Sequence, residues 1–159
     1  MVKENQNIDF LNRDDFKDHN VVHLVNCLIN TIDLIGVFEL NVYLIIEDCI
    51  INNLKIHSCW FVNGLLLKNN IIRNYVDYQM GGHNVNPIVI EGNVFTGFLN
   101  FFDCQFENCI ELKNNVFEKG TNLLGNKGEG FENSFANGWV VENNVGNIDI
   151  DGDINIDEV

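Results

Sequence analysis

The sequence predicts an all-β fold, a right-handed parallel β-helix of about six stacked coils, on three observations. Residues of buried type recur about every 22 positions across most of the 159-residue chain. Apolar residues come in pairs separated by one residue, the period-two mark of a strand with one buried face. Asparagine occurs 28 times against a single proline. Asparagine resists helix interiors and tolerates left-handed backbone, so this density demands many tight corners.

The clearest column is Cys27, Cys49, Asn70, Asn93, Asn115 and Asn137, with spacings of 22, 21, 23, 22 and 22. Two residues after each stands a large apolar group: Ile29, Ile51, Ile72, Phe95, Phe117 and Trp139. A second column precedes it, as Val22/Leu24, Leu44/Ile46, Leu65/Leu67, Ile88/Ile90 and Ile110/Leu112. A third follows, as Ile32/Leu34, Leu54/Ile56, Val76/Tyr78 and Leu99/Phe101. A weaker fourth reads Cys59/Phe61, Gly81/His83 and Cys104/Phe106. Steps of five or six between pairs are corners, so four short sides close one coil. Stacked at a strand spacing of about 4.8 Å, six coils make a rod about 29 Å long.

The Asn column is expected to turn inward at a corner, its amides bonding backbone and one another, with Cys27 and Cys49 as small apolar fillers. Two exposed columns, Glu47/Lys68/Glu91/Lys113 and Asp33/Lys55/Asp77, are read as solvated charge ladders. The repeat defines one domain over residues 22–159, preceded by a cap over 1–21 in which Phe10, Leu11 and Phe16 cover the first coil. Two stretches break the period: 74–87, rich in Gly and Asn, and 120–138, with Gly125, Gly128, Gly130 and Gly138. Loops on a rigid scaffold are where function concentrates.

On the corners Asn69-Asn70, Gly92-Asn93, Asn114-Asn115 and Asn143-Asn144, the sequence resembles the pectate-lyase-like right-handed β-helix superfamily. The run Asp103-Cys104-Gln105-Phe106-Glu107 also resembles a pentapeptide repeat, although steps of six depart from that family's strict period. These resemblances cover residues 22–156. The first implies glycan binding or processing, and the second an acidic rod that mimics DNA.

Charge narrows the partners. The net charge is −14 and the pI about 4.4, with only nine Lys and Arg. A chain this acidic is repelled by nucleic-acid phosphates and by anionic membranes, so neither is an expected partner. No apolar stretch is long and uncharged enough to span a bilayer. No basic-plus-apolar leader opens the chain, and five cysteines suit a reducing compartment, so the expectation is cytoplasmic with reduced thiols.

Four constellations are candidates for chemistry. The C-terminal run matches an EF-hand-like calcium loop, with oxygen donors at Asn147, Asp149, Asp151, Asp153 and Glu158 around a bend at Gly152. No helix pattern flanks it, and its alternating isoleucines fit a last strand better; calcium is the single cofactor candidate. His57, Cys59 and His83 do not converge on the strand pattern, and Cys104 with Cys109 lacks the second pair a zinc site needs. A glycosidase or lyase requires a carboxylate pair or a cation with a basic residue. Asp103, Glu107 and Glu111 are near in sequence, but Arg13 and Arg73 pair with no cluster among them. Trp60, Tyr75, Phe98 and Phe102 fall at outward or corner positions and are the candidate ligand or partner contacts. The expected function is therefore a non-catalytic interaction or scaffold module, with a second copy or another protein as partner. A glycan-binding or glycan-processing protein and an acidic DNA mimic are the alternatives.

Overall fold

The computed structural model describes residues 1–128 and 130–152. It is a parallel β-solenoid of about five turns with about 22 residues per turn. In chain order, the first segment carries β1 (Val2–Glu4), β2 (Asn7–Asn12) and a short helix α1 (Arg13–Phe16). The following turns carry β3 (Val21–Val25) and β4 (Leu28–Asp33), then β5 (Tyr43–Glu47) and β6 (Ile50–Lys55). Next come β7 (Leu65–Lys68), β8 (Ile71–Ile72) and β9 (Val76–Asp77), then β10 (Ile88–Glu91), β11 (Val94–Phe95), β12 (Leu99–Asn100) and β13 (Gln105–Phe106). The C-terminal part holds β14 (Ile110–Lys113), β15 (Val116–Phe117), β16 (Ser134–Phe135) and β17 (Trp139–Glu142).

Every pairing between these strands is parallel. One side is a seven-stranded sheet in the order β1-β3-β5-β7-β10-β14-β17, and the next a six-stranded sheet, β15-β11-β8-β6-β4-β2. The expected columns fall into register: Val22, Leu44, Leu65, Ile88 and Ile110 align, as do Ile29, Ile51, Ile72, Phe95 and Phe117. These side chains fill one continuous core.

Regular turns number about five rather than six, because both ends depart from the repeat. Within residues 1–21, β1 and β2 already pair with β3 and β4. The short helix α1 follows, started by a capping box in which Asn12 and Asp15 bond each other's backbone, with Phe16 buried in the core. At the other end the step between neighbouring turns lengthens to 29, as in Ile110↔Trp139. The extra residues lie between Asn122 and Asn133, in the Gly-rich stretch. Trp139 therefore aligns with Ile110 instead of Phe117, and on the last strand it is 48% exposed.

The corner before β2, β4, β6, β8, β11 and β15 is left-handed at Asn5, Asn26, Asp48, Asn69, Gly92 and Asn114, and the series continues at Asn143. Asn, Asp and Gly adopt this backbone at least cost, which is why the chain is so rich in asparagine.

Candidate functional site

From the corner at Asn26 onward, the residue after each left-handed position in this series points inward, and here the asparagines form a hydrogen-bonded stack. The backbone N–H of Asn70 donates to Asn93 Oδ1, that of Asn93 to Asn115 Oδ1 and that of Asn115 to Asn144 Oδ1, each at 2.9 Å. The side-chain amides donate to main-chain carbonyls: Asn70 to Ile46, Asn93 to Leu67, Asn115 to Ile90 and Asn144 to Leu112. The last rung is thus Asn144, not Asn137. Asn137 belongs to another corner, where Asn63, Asn86, Asn108 and Asn137 each donate to a carbonyl of the preceding turn.

Cys49 and Cys27 continue the stack as bonded groups rather than mere apolar fillers. Cys49 N–H donates to Asn70 Oδ1 at 2.9 Å, and Cys49 Sγ accepts from Cys27 N–H at 3.3 Å while its own thiol donates to the Glu47 carbonyl. Burial raises the Cys49 thiol pKa to about 11 and pushes Cys59 and Cys104 higher still. These thiols stay protonated and unreactive near neutral pH. Cys109 alone among the five is partly exposed.

The acidic residues considered for catalysis are held apart. Asp103 occupies a left-handed corner, Glu107 lies 3.2 Å from His83 Nδ1, and Glu111 lies 2.6 Å from Lys113 Nζ on the seven-stranded sheet. The Glu111 contact also raises the Lys113 pKa. Arg13 is on α1, and Arg73 follows β8, donating to Asn52 Oδ1 at 3.1 Å. Among the described residues no three His, Cys, Asp or Glu side chains gather around a common point.

The calcium-loop candidates do not form a described cage. Asn147 Oδ1 accepts from Asp149 N–H, Asp151 Oδ1 accepts from Asn126 N–H at 2.7 Å, and Asp149 is exposed. Ile148 packs on the core, and the backbone of 147–150 bonds to Thr121 and Leu124 as a strand-like segment. Asp153 and Glu158 lie outside the described residues.

The four aromatic candidates separate. Phe98 is buried, contrary to its expected outward position, and stacks on Tyr75, whose hydroxyl accepts from Asn100 at 2.8 Å. Phe102 stacks on exposed Phe131. Trp60 is half-buried between Phe38 and His83, with ring centroids 5.1 and 4.1 Å away, and its indole N–H donates to the Met80 carbonyl. The strand pattern expects His83 inward beside Phe61 and Phe106. Its φ of 49° instead turns it onto Trp60, and Asn84 is the buried residue at this point.

Two outer faces remain. On the seven-stranded sheet Tyr43, Asn63, Asn86, Pro87, Val89 and Glu111 line a shallow groove of about 610 Å³. Beside it Glu47, Lys68, Glu91, Lys113 and Glu142 stand in register, and the alternating sign interrupts any acidic stripe. The six-stranded sheet carries a feature that the inward columns conceal in the sequence. The residue that follows each inward Cys or Asn is itself aliphatic: Leu28, Ile50, Ile71, Val94, Val116 and, after Asn144, Val145. These six align on the outside, with Leu28, Ile71 and Val145 exposed by 53%, 41% and 63%. The signal was present in the x of the first five Cys/Asn-x-apolar triplets, from Cys27-Leu28-Ile29 to Asn115-Val116-Phe117.

In comparisons with known proteins, the chain matches no family model, no curated protein and no solved structure.

Proposed function

We propose that this chain is a non-catalytic interaction module whose working parts are the outer faces of its solenoid, on a scaffold of the pectate-lyase-like kind. The observation that carries the proposal is the aliphatic column on the six-stranded sheet, an apolar stripe across five of its strands that continues at Val145 and faces outward. Exposed contiguous apolar surface on a soluble domain marks a contact site. Of the acids that a hydrolase or lyase would need, Glu107 is engaged by His83 and Glu111, on the seven-stranded sheet, by Lys113. Fold alone confers no reaction.

The test pairs binding with turnover. The chain is expected to form complexes, with itself or another macromolecule, that sediment faster than a monomer. It is expected to leave a panel of polysaccharides uncleaved. Cleavage abolished by Glu107→Gln or Asp103→Asn would contradict the proposal.

One observation favours a second reading, glycan binding without chemistry. The groove beside Tyr43 combines an aromatic ring with amides and a carboxylate, a mixture suited to hydroxyl-rich ligands. A glycan array that stays blank removes this reading and leaves the first intact.

A further inference from the structure

The aliphatic column is accompanied by a polar one, two residues further along each strand direction. Register places Arg73, Thr96 and Glu118 in successive turns beside Ile71, Val94 and Val116. Asn30, Asn52 and Arg73 continue this line toward the N-terminal end, joined by amide hydrogen bonds of 3.1–3.2 Å. In a chain of net charge −14, the polar column from Asn30 to Glu118 contains one cation, Arg73, and one anion, Glu118, with Asp9 beyond Asn30 at the N-terminal end. This strip is apolar and close to neutral where the molecule as a whole is strongly acidic, so approach of a second equally acidic copy is least opposed here.

The spacing adds a stronger argument for what covers it. Rungs recur at the strand separation of about 4.8 Å, and only a ladder of the same pitch meets them rung for rung. A second copy provides that ladder. Let two rods lie face to face and antiparallel, related by a two-fold axis at Val94. Val94 then meets the partner's Val94, Ile71 meets the partner's Val116, and Ile50 meets the partner's Val145. The same operation sets Arg73 opposite the partner's Glu118, and by symmetry Glu118 opposite the partner's Arg73. One axis thus aligns five apolar rungs and two reciprocal ion pairs, the self-complementarity that an isologous interface requires.

We propose that the outer face of the six-stranded sheet is a homodimer interface, two antiparallel solenoids centred on Val94 and oriented by Arg73–Glu118 pairs. It rests on the interaction reading above and gives that reading a partner and a surface.

Sedimentation velocity on the full chain across the micromolar range tests it. Wild type is expected to move from monomer to dimer as concentration rises. Ile71→Glu and Arg73→Glu are each expected to weaken the dimer at least about tenfold, and Arg73→Glu combined with Glu118→Arg to bring it back to within about threefold of wild type. Both positions face solvent, and a thermal melt followed by circular dichroism checks that each variant is folded. Should Ile71→Glu melt early, Ile71→Thr, which keeps strand propensity, replaces it. A strict monomer at every concentration overturns the proposal. So does a dimer indifferent to Ile71→Glu, but that outcome moves self-association to another face and leaves the interaction reading standing. Failure of the charge swap to restore a dimer that Arg73→Glu had weakened overturns the two-fold arrangement.

Discussion

The backbone N–H and the side-chain amide of Asn93 both donate to one atom, Asn115 Oδ1, at 2.9 and 3.1 Å. That relationship repeats along the stack and converts a corner that would bury unpaired backbone groups into a satisfied network. Buried polar networks of this kind are costly to break at any member, because the remaining partners have no water to turn to.

Replacing Asn93 by Leu is therefore expected to cost roughly 2–4 kcal/mol. The Asn70 N–H loses its acceptor and the Leu67 carbonyl its donor. Asn108→Ala, at the more exposed corner, is expected to cost under about 1 kcal/mol. Urea unfolding of the two variants checks the contrast, and equal costs would contradict it.

Cys49→Asn is expected to leave the melting temperature unchanged or raise it. An amide at this position keeps an acceptor for the Cys27 N–H and offers a donor to the Leu24 carbonyl, which the thiol reaches only at 3.6 Å. Cys49→Ala removes both and is expected to melt earlier. If the Asn variant melts below the Ala variant, Cys49 is not a rung of the stack.

Burial of the thiols sets a pH dependence. In the unfolded chain a cysteine loses its proton near its ordinary pKa, whereas native Cys49 holds it to about 11. The native state thus binds more protons above about pH 9, and its stability falls as pH rises, by up to about 1.4 kcal/mol per pH unit for each such thiol. For Cys49 the loss levels off near pH 11. Cys59 and Cys104, also raised by burial, add to the slope. Urea unfolding between about pH 8 and about pH 10 reads it, and a Cys49→Ala/Cys59→Ala/Cys104→Ala variant is expected to flatten it. An unchanged slope in that variant would show that other groups govern the alkaline range.

Three left-handed glycines differ in what surrounds them. A Cβ on Gly36 meets nothing within 4 Å, one on Gly92 would lie 2.5 Å from the movable Asn69 Oδ1, and one on Gly82 would overlap the Gln105 carbonyl of the adjoining turn. The expected order of destabilisation is Gly36→Ala at about 1 kcal/mol, Gly92→Ala slightly above it and Gly82→Ala well above both. Thermal melts check the order.

The repeat was legible because period-two pairs and a 22-residue recurrence are direct consequences of strand pleat and stacking. Its misreadings came from elsewhere. Asn137 sits 22 residues after Asn115 and so mimics the next rung, but the insertion after Asn122 moves that place to Asn144. Spacing cannot register an insertion when both corners use the same residue type. His83 follows the inward alternation until its left-handed backbone reverses it. The outward aliphatic column is hidden for a different reason. The inward members of each triplet carry the period, and the middle residue reads as background, although its repeated aliphatic character is a pattern in its own right.

The most direct test of a dimer formed through the outer face of the six-stranded sheet is the concentration dependence of the backbone amide shifts in two-dimensional ¹⁵N NMR spectra. Shifts are expected to change with concentration along β6, β8, β11 and β15, around Ile50, Ile71, Val94 and Val116, and to stay constant around Trp60 and Tyr43. Spectra that do not change with concentration, or changes confined to Trp60 and Tyr43, would contradict it.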